Sequence, residues 1–214
     1  MITAEVSFHF KARYCKLGEL NANTKEIWFV LHGYGQLAAY FVQKFKLLTD
    51  HHICVIAPEG LSHFYKEGFT GRVGATWMTK ENRLMDIDNY IAYLNTVYHI
   101  ETQQAPNLPV TMLGFSQGAA TVSRWIAEGN VAFERLILWA GLLPPDMDIE
   151  KGHSVLRNKQ VDFVYGKSDP LLSDARFEEM NQLAQKLNIQ PQVITFDGDH
   201  SIDQPTLKKL ITPA

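Results

Sequence analysis

The chain has 214 residues, enough for one domain whose core needs neither disulfides nor a structural metal. With 46% hydrophobic and 20% charged residues it is unlike a disordered or fibrous polypeptide. A formal net charge of -3 and a pI near 6.2 leave no basic excess to neutralise phosphates, which argues against nucleic acid or an anionic membrane as the main partner and favours a small neutral or acyl substrate.

Residues 2–20 alternate polar and apolar side chains with no helix behind them, which predicts an antiparallel hairpin at one edge of a sheet. This opening lacks the basic start and apolar core of a signal peptide. No apolar run approaches the roughly 18 residues that would suggest a membrane span. Cys15 and Cys54 form no CxxC pair and read as small buried hydrophobes, so a reducing cytoplasm is the expected setting.

Short β-branched or aromatic runs at 27–31, 53–57, 110–113, 136–139, 161–165 and 192–196 predict buried strands. Helical spacing of apolar residues occupies 38–49, 85–98, 117–128, 174–187 and 204–211. Strand and helix in alternation predict one α/β domain over residues 1–214, with a mostly parallel sheet covered by helices on both faces. Ligands of such sheets bind at the carboxyl ends of the strands, so the loops there carry the functional expectation.

The strand pattern at 110–113 runs into Gly114-Phe115-Ser116-Gln117-Gly118 and then into a helix pattern. This is G-x-S-x-G in the context its mechanics require: a strained strand-to-helix turn holds the serine forward, and its glycines avoid clashes. Ser116 is therefore the candidate nucleophile of an α/β-hydrolase fold. A serine hydroxyl needs an imidazole to take its proton, and the imidazole needs a carboxylate to fix its tautomer. In the fold's chain order, Asp169 follows the strand pattern at 161–165 and His200 follows that at 192–196. Asp197 and Asp199 are rival acids, disfavoured because so close a neighbour faces away from the ring. Of the other histidines, His51, His52, His63, His99 and His153 lie in polar surroundings expected at the surface; His9 falls in the opening hairpin, and His32 is expected to hold a loop by hydrogen bonds.

The oxyanion of a tetrahedral intermediate needs preorganised N–H donors. The backbone N–H of Gln117 is one candidate; the second is that of Tyr34, with Gly33 one residue away, in His32-Gly33-Tyr34-Gly35-Gln36. Trp77, Met78 and Leu143, with Leu142 and Pro144, are candidate acyl-pocket walls or ordinary packing residues. Only about twenty residues separate the patterns at 136–139 and 161–165, too few for an inserted cap domain.

The segments LHGYGQ at 31–36, GFSQG at 114–118, WAGLLP at 139–144, GKSDPLL at 166–172 and GDHS at 198–201 resemble the phospholipase/carboxylesterase family, which includes the acyl-protein thioesterases. The resemblance implies hydrolysis of carboxylic esters or thioesters through an acyl-enzyme, with no cofactor and no metal, by the triad already derived. Departures are Tyr34 and Gln36 where the family often reads HGLGD, Ala119 where its serine motif usually ends in a second glycine, and residues 58–78, which follow the family only at the tryptophan. Three readings remain: a carboxylesterase, an acyl-thioesterase or lysophospholipase on the same triad, and a binding module without chemistry. The expected partner is a small acyl ester or thioester, with no nucleic acid and no membrane span, and a homodimer is admitted.

Overall fold

The computed structural model describes residues 1–211. Its main sheet has seven strands: β1 (Tyr14–Leu17), β2 (Glu26–Leu31), β3 (Ile53–Pro58), β6 (Val110–Phe115), β7 (Arg135–Trp139), β8 (Gln160–Gly166) and β9 (Gln192–Phe196). They lie in the order β1-β3-β2-β6-β7-β8-β9, with every pairing parallel except β1 against β3. A separate antiparallel pair, β4 (Ser62–Tyr65) and β5 (Val73–Thr76), stands between β3 and the next helix. The helices are α1 (Ala38–Phe41), α2 (Arg83–Thr102), α3 (Gln117–Glu128), α4 (Ile149–Leu156), α5 (Asp174–Lys186) and α6 (Gln204–Ile211).

Alternating side chains feed two cores. From β2, Ile27, Phe29 and Leu31 enter the layer that α2 and α3 cover, while Trp28 and Val30 enter the layer under α1 and α6. Leu136 and Leu138 of β7 join the first layer, Ile137 and Trp139 the second. Burying such side chains stabilises the fold by about 1.5–3 kcal/mol each. Among the described residues no cap domain interrupts the 140–159 connection, which holds only α4 and turns, and no helix is long and apolar enough to cross a membrane.

Four local expectations differ from the structure. The strand expected to be buried at 192–196 is β9, which lies at the sheet edge with only Phe196 buried. The hairpin expected over 2–20 is absent: only β1 is a strand, placed at the sheet edge as expected, and residues 1–13 belong to no strand or helix. The first glycine is Gly18 (φ +77), so no turn residue is available to fold the segment back on itself. The helix expected over 38–49 is α1 followed by a 3-10 helix, Val42–His51, because its buried residues Val42, Phe45 and Leu48 recur every third position, the period of that helix. The β4–β5 pair and α4 were not predicted, since β4 is mostly exposed and α4 contains Gly152. That glycine packs closely: a Cβ there would lie 2.7 Å from the Leu187 Cδ2, which would have to shift.

Candidate active site

Ser116 sits between β6 and α3 with φ 55 and ψ -117, a conformation costly for a residue with a side chain. Close packing enforces it. A Cβ on Gly114 would overlap Gly118 and Ala119, and one on Gly118 would overlap Leu31 O and sit 2.7 Å from His32 O. Gly141, just past β7, lies so near that its Cβ would be 2.5 Å from Ser116 O. The Ser116 N–H donates to Trp139 O at 2.9 Å, tying the turn to the neighbouring strand.

Asp169 and His200 come from the loops after β8 and β9. His200 Nδ1 and Asp169 Oδ2 are 2.7 Å apart, and the buried aspartate's Oδ1 accepts the Leu171 N–H at 2.9 Å. The rivals lie elsewhere: Asp197 pairs with Lys167 Nζ at 2.8 Å, and Asp199 is exposed. The two loops are locked together by Ser168 N–H to Gly198 O at 2.9 Å, and Trp139 Nε1 holds the histidine loop through Ser201 O at 2.9 Å. The His200 ring packs on Phe115, the residue before Ser116, with centroids 4.9 Å apart. Among the described residues no hydrogen bond joins Ser116 Oγ to His200 Nε2, a bond that in free enzymes is often long and tightens with substrate.

The loop after β2 passes directly over the serine: a Cβ on Gly33 would be 3.1 Å from Ser116 Cβ. Its N–H groups can be accounted for one by one. Gly33 N–H donates to Gln36 Oε1 at 2.9 Å, Gly35 N–H to Ala75 O at 2.8 Å and Gln36 N–H to Gly33 O at 3.2 Å. Among the described residues the Tyr34 N–H has no acceptor, and neither has the Gln117 N–H at the start of α3.

His32 sets the direction of that free donor. Gly60 N–H donates to His32 Nε2 at 3.0 Å, so the proton of the neutral ring is on Nδ1, which reaches Gly33 O at 2.8 Å. The carbonyl of the 33–34 peptide is thereby fixed, and the Tyr34 N–H of the same peptide points the other way. Burial holds the His32 pKa below its usual value, against the opposing pull of the Gly33 carbonyl, so the ring stays neutral. It stacks on Trp77, whose Nε1 donates to His32 O at 2.8 Å.

Trp77 and Leu143 are 2% and 5% exposed and belong to the core layer over α2 and α3, so neither presents a surface to a cleft; Met78 is half-buried beside Arg124. Trp77 and Met78 are instead fastened to the serine turn. Gln117 Oε1 accepts from Thr76 Oγ1 and Trp77 N–H at 3.1 and 3.2 Å, and its Nε2 donates to Met78 O at 2.9 Å. Gln36 and Gln117 lie in the quoted motifs but nothing there marks their side chains' roles, and the Gly60 N–H and the buried Glu59 beside it had no motif to mark them. Glu59 ties the Ala38 N–H at 2.9 Å, His63 Nε2 at 2.9 Å and Arg13 Nε at 2.5 Å into one cluster. Burial alone would raise the Glu59 pKa, but these hydrogen bonds outweigh it and hold the carboxyl below its usual value. Of the histidines expected at the surface, His51, His52, His63 and His99 are exposed, while His153 is half-buried against Leu187 O at 2.8 Å.

Comparison with known proteins gives the family and the fold. Residues 22–213 match the family model described as serine hydrolase (FSH1). The chain is 23% identical over 153 residues to human monoglyceride lipase, a match that takes in 71% of this chain and 46% of that protein, so the chain spans about half the length of this curated relative. Among solved structures, a phospholipase/carboxylesterase from Dyadobacter fermentans superposes with a TM-score of 0.68 at 18% identity, covering 96% of this chain and 97% of its own. Zea mays acyl-protein thioesterase 2 superposes with a TM-score of 0.69 at 15% identity, covering 94% and 96%. These likenesses establish the α/β-hydrolase fold.

Proposed function

The chain belongs to the serine hydrolase (FSH1) family, and we propose that it cleaves carboxylic esters of small acyl substrates through an acyl-enzyme on Ser116. In this reading His200 Nε2 takes the Ser116 hydroxyl proton as Oγ attacks the ester carbonyl. Asp169 holds the ring by its Nδ1–H and stabilises the imidazolium. The oxyanion accepts from the Tyr34 and Gln117 N–H groups, each worth about 2.7–4 kcal/mol of barrier. Collapse expels the alcohol, which takes the proton back from His200. Water then attacks the acyl-enzyme by the same route, so acid and alcohol leave with ester and water consumed and no cofactor required.

The observation that carries the reading is the 2.7 Å Asp169–His200 hydrogen bond, held against Phe115 and so beside the strained Ser116. The two free thiols, Cys15 half-buried and Cys54 buried, support a reducing cytoplasmic setting. Turnover of p-nitrophenyl esters graded from acetate to palmitate, beside a thioester of matched length, tests the proposal with wild type and Ser116→Ala. Serine-dependent turnover and fluorophosphonate labelling of Ser116 are expected, and the chain-length optimum sizes the acyl site. Absence of both turnover and labelling would overturn it in favour of a module without chemistry, and preference for the thioester would move the substrate class to acyl-thioesters.

A further inference from the structure

Residues 1–13 are the one long stretch among the described residues with strand chemistry and no strand partner. Ile2, Val6, Phe8 and Phe10 are 95, 86, 76 and 60% exposed, although such side chains are ordinarily buried. They alternate with Thr3, Glu5, Ser7, His9 and Lys11, with Ala4 and Ala12 completing the apolar side. No residue here has positive φ, and the Phe8 and Phe10 rings meet edge to face with centroids 6.3 Å apart, as side chains two apart on one face of an extended chain do.

The segment is anchored where it joins the fold and nowhere before. Arg13 Nε meets Glu59, and Arg13 O accepts the Tyr93 hydroxyl at 2.6 Å. Tyr14 lies opposite Pro58, the last residue of β3, so the preceding residues run past the carboxyl end of that strand, and among the described residues no strand lies alongside them. An unpaired strand of this kind is a template for another chain.

The sequence of the segment is complementary to itself. Antiparallel pairing centred on Phe8 sets Phe8 opposite Phe8 of a second copy, Val6 opposite Phe10 and Ala4 opposite Ala12 on one face. On the other face Glu5 meets Lys11, and Ser7 meets His9. Opposite charges and aromatic side chains directly across a pair are the arrangement that stabilises an antiparallel ribbon. Centring the pairing on Ser7 loses the Glu5–Lys11 match, and a slip of half that step sets apolar side chains against polar ones. We propose that residues 4–12 pair antiparallel with the same residues of a second copy, forming an intermolecular two-stranded ribbon about Phe8 that makes the protein a dimer. A lone ribbon is marginal in water, so this dimer dissociates on dilution.

The test uses the whole chain. Sedimentation velocity is expected to give a dimer at high concentration that turns to monomer on dilution, and monomer throughout for Phe8→Asp, which sets two like charges face to face. In a Cys15→Ser background, Phe8→Cys is expected to form an intermolecular disulfide on mild oxidation, because directly opposite Cα atoms lie about 4.5–5.5 Å apart. Ala4→Cys, far from its own mate in this register, is expected to remain unlinked. Ester hydrolysis, whose residues lie elsewhere, reports that each variant is folded. The proposal is overturned if wild type is monomeric at every concentration, if Phe8→Asp remains dimeric, or if Ala4→Cys links as readily as Phe8→Cys. A wild type that is monomeric and floats with phosphatidylcholine vesicles would instead assign the segment to a lipid surface.

Discussion

Removing the His32 imidazole separates positioning of the oxyanion from mere support of the loop. In the structure Gly33 O is held by His32 Nδ1–H at 2.8 Å and by the longer Gln36 N–H contact at 3.2 Å. His32→Ala leaves only the weaker restraint on the peptide that carries the Tyr34 N–H. Complete loss of one oxyanion donor costs about 2.7–4 kcal/mol. A donor that is still partly restrained should lose a fraction of that, about 1.4–2.7 kcal/mol, or roughly ten- to a hundredfold in kcat. The Gly60 N–H, which now donates to His32 Nε2, is also left unpaired and costs about 1–3 kcal/mol of stability. His32→Asn distinguishes the two effects. Its side-chain amide reaches the position of Nδ1 and can donate to Gly33 O, but it cannot accept from Gly60. Thermal melts of both variants should fall, whereas kcat for p-nitrophenyl acetate and affinity for a trifluoromethyl ketone that mimics the tetrahedral intermediate should recover in His32→Asn. If Asn and Ala are equally slow, or if His32→Ala keeps the wild-type kcat, the assignment of His32 as a positioning residue is wrong.

Gly118→Ala forces α3 away from Leu31 O and His32 O, moving the Gln117 N–H by something near 1 Å; kcat should drop about a hundredfold, and retention of full activity would refute the packing argument. Asp162 is fully buried with Arg135 Nε at 2.5 Å, and Arg135 also donates to Leu210 O at 2.7 Å, so Arg135→Met should destabilise by about 3–5 kcal/mol in urea unfolding. The double variant Arg135→Met with Asp162→Leu should regain much of that loss, and equal stability of the single variant and wild type would count against the pair. Because burial lowers the His32 pKa, the unfolded chain binds that proton first, so stability should fall as pH drops below about 6.5, and the depressed Glu59 carboxyl adds a further loss below about 4.3. Thermal midpoints measured from pH 7 to 2.5 should show both steps, and His32→Asn should lack the first; a midpoint unchanged between pH 7 and 5 would refute it.

What was legible in the sequence was whatever repeats a strong physical constraint. The parallel strands β2, β3 and β7 are buried on both faces, which leaves continuous apolar runs that no loop would carry, and β6 and β8 keep the pattern apart from the buried Thr111 and Asp162. The 3-10 helix and the β4–β5 pair were hidden for opposite reasons. In the first, apolar residues recur at three, a period also contained in an α-helical pattern; in the second, a short and mostly exposed strand has no pattern for burial to impose.

The same distinction runs through the site. The proposed triad of Ser116, Asp169 and His200 is legible because each follows a strand pattern in the sequence, and because Gly114 and Gly118 are needed wherever a helix must start that close to the sheet. The groups that aim the proposed oxyanion donors act through distances across the fold: His32 through Gly60, and Gln117 through Thr76 and Met78. Residues 58–78, the stretch with least resemblance to the phospholipase/carboxylesterase pattern, supply most of those contacts. They need only present one N–H at Gly60 and a few backbone and hydroxyl groups near Gln117, a requirement on backbone position that many sequences can meet. A change of substrate preference should therefore map to the side chains of this segment that face away from those contacts, such as Phe64, whose ring stacks on Tyr34 at 5.0 Å, while the backbone that fixes the oxyanion donors stays in place.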